Sequence, residues 1–103
     1  MKHQDPNAAG QMKYQQMWDV TAGIIRDWDP YGLLGGGAPG HEFDREIACL
    51  VAQIPRIHSA AHATQAIARI FASSFEAHSF TEETCSEVGK QLYTALAEQG
   101  LLN

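Results

Sequence analysis

Residues 81–100, TEETCSEVGKQLYTALAEQG, contain the start, the buried face and the end of one helix. Thr81 is a typical N-cap residue, and the acids that follow it favour the positive end of the helix dipole. Gly100 stands where a left-handed C-cap is expected. Between these ends, apolar residues recur every three or four positions, at Cys85, Val88, Leu92, Tyr93 and Leu96. The stretch therefore predicts an amphipathic helix packed on a core.

The same spacing predicts three helices upstream, over about residues 11–28, 41–54 and 59–77. Asp29-Pro30 ends the first, because the residue before a proline avoids helical backbone angles. Pro55 ends the second, and Ser59 is a suitable N-cap for the third. No segment alternates strongly enough between apolar and polar residues to be a strand. The predicted fold class is therefore all-α, a small antiparallel four-helix bundle.

One glycine-rich connection, residues 29–40 with the sequence DPYGLLGGGAPG, separates the first two predicted helices. It fits neither the P-loop nor the dinucleotide-binding pattern, because no Lys-Ser/Thr follows it and no strand precedes it. We interpret it as a loop, since each helical glycine costs about 1 kcal/mol relative to alanine.

Residues 1–10 lack apolar periodicity and are predicted to be a disordered tail, which leaves residues 11–103 as a single helical domain.

Length and charge narrow the class of protein. The chain has 103 residues and a net charge of −5, from 12 acids and 7 bases. A nucleic-acid-binding protein would carry a basic stripe that displaces counterions from phosphates, so this class is not expected. No apolar run approaches the ~18 residues of a membrane span, and the polar start is not a secretion signal, so we expect a cytoplasmic protein.

Cys49 and Cys85 lie in apolar helical patterns and are predicted to be buried free thiols.

The sequence contains no recognisable catalytic or metal-binding motif. His58 and His62 are one helical turn apart, but no carboxylate lies between them and no HExxH motif occurs. A nucleophilic cysteine needs a base and an exposed, electropositive setting, which apolar helical positions do not offer. We therefore predict no enzymatic activity, no metal and no cofactor. A metal-dependent protein that uses His41, His58 or His62 is a less favoured alternative.

Acidic residues flank the glycine-rich loop. Asp27 and Asp29 stand at the C-terminal end of the first helix, where carboxylates oppose the helix dipole. Three more acids stand at the start of the second helix, at Glu42, Asp44 and Glu46. If the loop folds back, these five carboxylates form a negative face that steers a basic partner. In the local alternative, Asp44 and Glu46 bond backbone amides or Arg26 across the loop and serve the fold.

A second group of acids, Glu82, Glu83 and Glu87, lies at the start of the fourth helix. Dipole compensation explains acids at this position, but the same group also offers an alternative face for a partner.

Trp18 and Trp28 fit the buried stripe of the first helix. Because Trp28 stands beside the loop, it alternatively anchors the loop or a partner.

Two sequence blocks resemble a known family. Residues 28–33, WDPYGL, and residues 42–47, EFDREI, are similar to the paired blocks of the small bacterial YugE-like family of unknown function. A later run with Ile67, Ile70, Phe71 and Phe75 is similar to a helix of that family. His41 and Phe43 depart from it, since the family usually has an acid and a tyrosine there. The resemblance implies a compact helical protein with no known enzymatic activity.

Small acidic proteins of this kind also resemble the immunity partners of bacterial toxins, including those of contact-dependent growth inhibition. This resemblance leads to the predicted function, an immunity protein that binds a cognate toxin and covers its active site or substrate surface. A basic nuclease-type toxin is the expected partner, because nucleases bind phosphates. The alternative is a homo-oligomeric structural or regulatory module, with Leu101, Leu102 and the glycine-rich loop at its interface. The sequence does not determine the oligomeric state.

Overall fold

Four α-helices make up most of the chain that the computed structural model describes, which comprises residues 6–29, 43–75 and 77–102. The helices are α1 (Pro6–Trp28), α2 (Asp44–Gln53), α3 (Ala60–Ser74) and α4 (Glu82–Glu98). Short 3-10 turns follow α2 at Ile54–Arg56 and α3 at Ala77–Ser79. The described residues contain no strand, and the predicted all-α helical bundle is confirmed.

Each helix packs against two others around a shared core. The helix α1 contacts α2 and α4, and α3 contacts the same two helices. All four contribute large side chains that are almost completely buried, among them Ile25, Phe43, Ile47, Leu50, Ile67, Phe71, Leu92 and Leu96. These residues belong to the apolar stripes seen in the sequence, because a period of 3.6 residues places them on one side of each helix. No helix in the described part of the chain has the length and apolarity that a membrane span requires.

The predicted N-caps of α3 and α4 are both present. The hydroxyl of Ser59 accepts a hydrogen bond from the backbone N–H of His62 at 3.1 Å. At α4, the hydroxyl of Thr81 accepts from the backbone N–H of Thr84 at 3.1 Å, and the hydroxyl of Thr84 accepts from the backbone N–H of Thr81 at 2.9 Å. This reciprocal pair satisfies two backbone donors that the helix itself leaves unpaired.

The chain reverses at Gly100, which ends α4 as the sequence predicts. Gly100 has a φ of 68°, a left-handed conformation that costs glycine little because it has no Cβ. Its N–H bonds the carbonyl of Ala97 at 3.1 Å, and the N–H of Leu101 bonds the carbonyl of Leu96 at 2.9 Å. These two bonds define a Schellman motif, which returns Leu101 to the core, where it is buried.

The first helix starts earlier than its apolar pattern predicts. It begins at Pro6 rather than near residue 11, so residues 6–10 of the predicted tail are helical, while residues 1–5 lie outside the described residues. A proline is tolerated in the first turn because its missing N–H would have no helical partner there. Apolar periodicity does not reveal such a segment, because periodicity reports only the buried part of a helix.

The end of α1 agrees with the prediction, and the loop that follows it is untested. The helix stops at Trp28, and Asp29 adopts a φ of 46°, a conformation that aspartate tolerates better than most residues. The predicted glycine-rich loop and the predicted start of the second helix fall largely on residues 30–42, which lie outside the described residues.

Two residues that the apolar pattern predicts to be buried, Tyr14 of α1 and Cys49 of α2, are not buried. Cys49 is exposed, and Tyr14 retains half of its surface in solvent. Cys49 lies about 100° around α2 from Leu50 and about 200° from Ile47, which places it on the outer side of the helix. The prediction that both cysteines are buried is therefore wrong for Cys49 and confirmed for Cys85.

Candidate functional site

The acids near the end of α1 and the start of α2 serve partly to hold these helices together. Asp44, in the first turn of α2, accepts a hydrogen bond from Nη2 of Arg26 at 2.9 Å, and the same atoms form an ion pair. The predicted bond between Arg26 and Asp44 is therefore present. Because Arg26 compensates the charge of Asp44, this carboxylate contributes little to a negative outer surface.

The other members of this first group lie in different environments. Glu46 is only 5% exposed and faces inward beside Ile47. Asp29 is half-buried and takes part in a further interaction, whereas Asp27 is exposed on α1. Glu42 lies outside the described residues. The described residues therefore do not form the open five-carboxylate face that the sequence suggested.

The acids of α4 are arranged differently. We call Glu82, Glu83 and Glu87 the α4 acid patch, and all three side chains are exposed. Within the described part of the chain, none of them forms an ion pair or a hydrogen bond. Glu83 and Glu87 are four residues apart, so they lie on the same side of the helix and repel one another. An uncompensated group of this kind produces a local negative potential.

A shallow groove between α1 and α4 adjoins the acid patch. Its volume is about 410 Å³, and it is lined by Ile24 of α1 and by Glu87, Lys90, Gln91, Thr94, Ala95 and Glu98 of α4. Ile24 and Ala95 are half-buried and supply its apolar part. Glu87 belongs to both the groove and the patch. Sequence reasoning missed this groove, since it depends on how two helices distant in sequence pack together.

The histidines do not form a recognisable metal site in the described residues. The backbone N–H of His58 donates to Nδ1 of His62 at 3.1 Å, so one ring nitrogen of His62 is already engaged. Among the residues that the structure describes, no three His, Cys, Asp or Glu side chains are grouped so that they could hold a metal ion. His41, the third histidine of that alternative, lies outside this part of the chain.

The two thiols differ in their surroundings. Burial raises the pKa of the Cys85 thiol above its ordinary value of 9.0, and the Thr84 hydroxyl, 3.9 Å from the sulfur, partly offsets this by favouring the thiolate. Nucleophilic catalysis requires the opposite, a thiol with a lowered pKa. Cys85 is thus a core residue, as its place in the apolar stripe predicted.

Trp28 belongs to an aromatic cluster at the edge of the core. Its ring meets Phe71 and Phe80 edge-on, with centroid distances of 5.2 and 6.0 Å. Trp28 and Trp18 are both partly buried and pack against the core. The interpretation of both tryptophans as part of the apolar stripe is therefore confirmed.

A family model described as a domain of unknown function, DUF1871, matches residues 20–99. The chain belongs to this family. No curated protein and no solved structure matches the chain. The DUF1871 match includes the α4 acid patch, the adjoining groove and the histidine pair, and it begins within α1. Membership agrees with the expectation of a small family of unknown function and assigns no activity.

Proposed function

We propose that this DUF1871 protein is an immunity protein, which binds a basic bacterial toxin domain and blocks its active site or substrate surface. The observation that carries the proposal is the α4 acid patch, in which Glu82, Glu83 and Glu87 are exposed and have no cationic partner in the described part of the chain. The groove beside Glu87 adds a recessed, partly apolar surface next to these charges.

The structure favours α4 over the first acid group as the binding face. A carboxylate attracts a partner most strongly when no neighbouring cation compensates it and when it remains in solvent. Asp44 is paired with Arg26, and Glu46 is buried. Glu83 and Glu87 are both exposed, and neither forms an ion pair in the described residues, although Lys90 lies beside Glu87 in the same groove. A basic partner would relieve the repulsion between the two glutamates.

Charge complementarity suits inhibition of a toxin, because an inhibitor must bind before the toxin reaches its target. The net charge of −5 attracts a positively charged protein over a distance of about one Debye length, roughly 8 Å at physiological salt. Such attraction raises association rates well above those of neutral protein pairs. A nuclease-type toxin carries the required positive charge because it binds phosphates.

The looser resemblance to immunity proteins supplies the toxin-neutralising role within this proposal. In this proposal the protein acts in the cytoplasm, where a toxin delivered by a neighbouring cell would reach its target. The oligomeric alternative has less support, because Leu101, one of its expected interface residues, is buried in its own core.

The test starts with capture of the protein's partner from native cells at low and at high salt. A captured basic protein is then expressed alone and together with this protein, and growth is measured. We expect growth to stop with the captured protein alone and to recover with both. Failure of this protein to restore growth, or the absence of toxicity, would contradict the immunity proposal.

A matched pair of variants tests the binding face in the same assay. Glu83→Gln with Glu87→Gln removes two charges from the α4 acid patch, and Asp19→Asn with Asp27→Asn removes two exposed charges from α1. Recovery of growth should be weakened by the first pair and preserved by the second. The opposite pattern would assign the binding face to α1.

A further inference from the structure

A basic cleft lies on the surface where the end of α2 meets the first turns of α3. It is lined by Gln53, Arg56 and Ile57 from one side and by His62, Gln65, Ala66 and Arg69 from α3. The four α3 residues follow each other at intervals of three, one and three, which places them on one face of that helix. The cleft is therefore built from two segments, the end of α2 with the turn that follows it and one face of α3.

The cleft concentrates positive charge in an acidic protein. Arg56 and Arg69 are two of the seven basic residues of the chain, and no acid contributes to the lining. Neither guanidinium forms an ion pair or hydrogen bond within the described residues. Two unpaired arginines on a shared cleft repel each other, and an anion bound between them would relieve this repulsion.

Neutral donors complement the two arginines. Because Nδ1 of His62 accepts a hydrogen bond from the backbone N–H of His58, the proton of a neutral His62 ring resides on Nε2, which remains a donor. Gln53 and Gln65 add side-chain amides to the lining. Ile57 and Ala66 are buried and form an apolar floor. The cleft thus offers several donors, and the carboxylates that would repel an anion are absent from its lining.

The size of the cleft limits the ligand. Its volume is about 200 Å³, below the roughly 300–1,000 Å³ of sites that enclose drug-sized molecules. Arginine forks match the oxygens of phosphate and carboxylate groups, and two guanidiniums balance a dianion better than a single carboxylate. These features favour a compact dianion with several acceptor oxygens.

We propose that this cleft binds phosphate, either as the free ion or as the head of a phosphate monoester, between Arg56 and Arg69. The proposal is independent of toxin binding, because the cleft shares no residue with the α4 acid patch. His62 and the two glutamines orient the anion, while the arginines supply most of its binding energy.

The test is a titration of the full chain with inorganic phosphate, followed by two-dimensional NMR at constant pH and constant ionic strength with chloride. Saturable shifts should centre on the amides of Gln65, Ala66 and Arg69. A parallel titration with a nucleoside 5′-monophosphate separates the two sources of phosphate. Tighter binding of the ester indicates a headgroup site, and equal binding indicates a site for the free ion.

Matched variants make the result decisive. Arg56→Gln with Arg69→Gln should weaken phosphate binding at least tenfold, whereas Arg45→Gln, which removes an exposed arginine outside the cleft, should leave it unchanged. Circular dichroism checks that all variants fold. Any of three results would overturn the proposal. Chloride alone could produce the same shifts as phosphate, succinate could bind as tightly as phosphate, or the double variant could bind phosphate as tightly as the wild type.

Discussion

Arg26 near the end of α1 and Asp44 at the start of α2 form an ion pair, with Nη2 of the arginine 2.9 Å from Oδ1 of the aspartate. The two residues are 18 positions apart in the chain, on opposite sides of the connection between the first two helices. The pair therefore links the start of α2 to the end of α1. It also explains why an acid group that appeared functional in the sequence is partly structural.

The ion pair should contribute modestly to stability. Its side chains are 39% and 42% exposed, so solvent screens much of the attraction, and a coupling energy of about 0.2–1 kcal/mol is expected. Asp44→Asn and Arg26→Gln, alone and combined, form a double-mutant cycle in urea denaturation. The coupling should shrink as salt increases. A coupling of zero at low salt would show that the pair does not hold the helices together.

Gly89, the single glycine within α4, should tolerate no added side chain without a shift of the helices. A Cβ added there would lie 2.8 Å from Cα of Thr64 on α3, so Gly89→Ala forces the two helices apart and costs about 1–3 kcal/mol. Gly23→Ala is the matched control, because an added Cβ on α1 meets nothing within 4 Å. That variant should gain about 0.5–1 kcal/mol from helix propensity. Equal effects on the urea midpoint would contradict this close α3–α4 packing.

Gly100 is expected to be sensitive for a different reason. Its φ of 68° strains any residue with a Cβ, so Gly100→Ala should cost about 1–2 kcal/mol although the space around it is open. Gly100→Asn should cost less, because asparagine tolerates the left-handed region. Thermal denaturation of both variants measures the difference. Equal stability of the alanine variant and the wild type would exclude the Schellman ending.

The helices were the most predictable part of this protein. The caps at Ser59 and Thr81 and the reversal at Gly100 depend on a few neighbouring residues, so local sequence suffices to identify them. Burial on α2 was harder to predict, because Glu46 and Cys49 are each within one position of Ile47 or Leu50. Which of them faces inward depends on how α2 sits against α1 and α3, and the sequence pattern of one helix does not contain this information.

The candidate surfaces were less predictable than the fold. The α4 acid patch was visible in the sequence as a group of charges, but whether its members form ion pairs depends on tertiary structure. The contrast with Asp44 also depends on tertiary structure, since Arg26 is distant in sequence. The basic cleft went unnoticed, because Arg56 and Arg69 are 13 positions apart and meet only where α3 folds back beside the end of α2.

The two cysteines should react at very different rates. Cys49 is exposed and Cys85 is completely buried, so a thiol reagent should modify one thiol quickly in the native protein and the second only after unfolding. Cys49→Ser leaves Cys85 alone and should remove the fast reaction. Rapid modification of native Cys49→Ser protein would show that Cys85 is accessible.

Cys85 should also make stability depend on alkaline pH. Its pKa is raised by burial, so the folded state binds the proton more tightly than the unfolded state does. The resulting stabilisation is fully present below 9.0, the ordinary value, and is lost as the pH rises through the folded-state pKa. Cys85→Ala should reduce this loss in urea titrations above pH 9.0. An identical alkaline dependence in both proteins would assign it to other groups.

The central claim, that this protein binds a basic partner through α4, is tested most directly by association rates with the captured toxin across a range of salt concentrations. The rate for the wild type should fall steeply as salt increases. Glu83→Gln with Glu87→Gln should slow association at low salt and flatten the salt dependence, while Asp19→Asn with Asp27→Asn should have little effect. Wild-type rates that do not change with salt, or a slower rate only in the α1 variants, would contradict the claim.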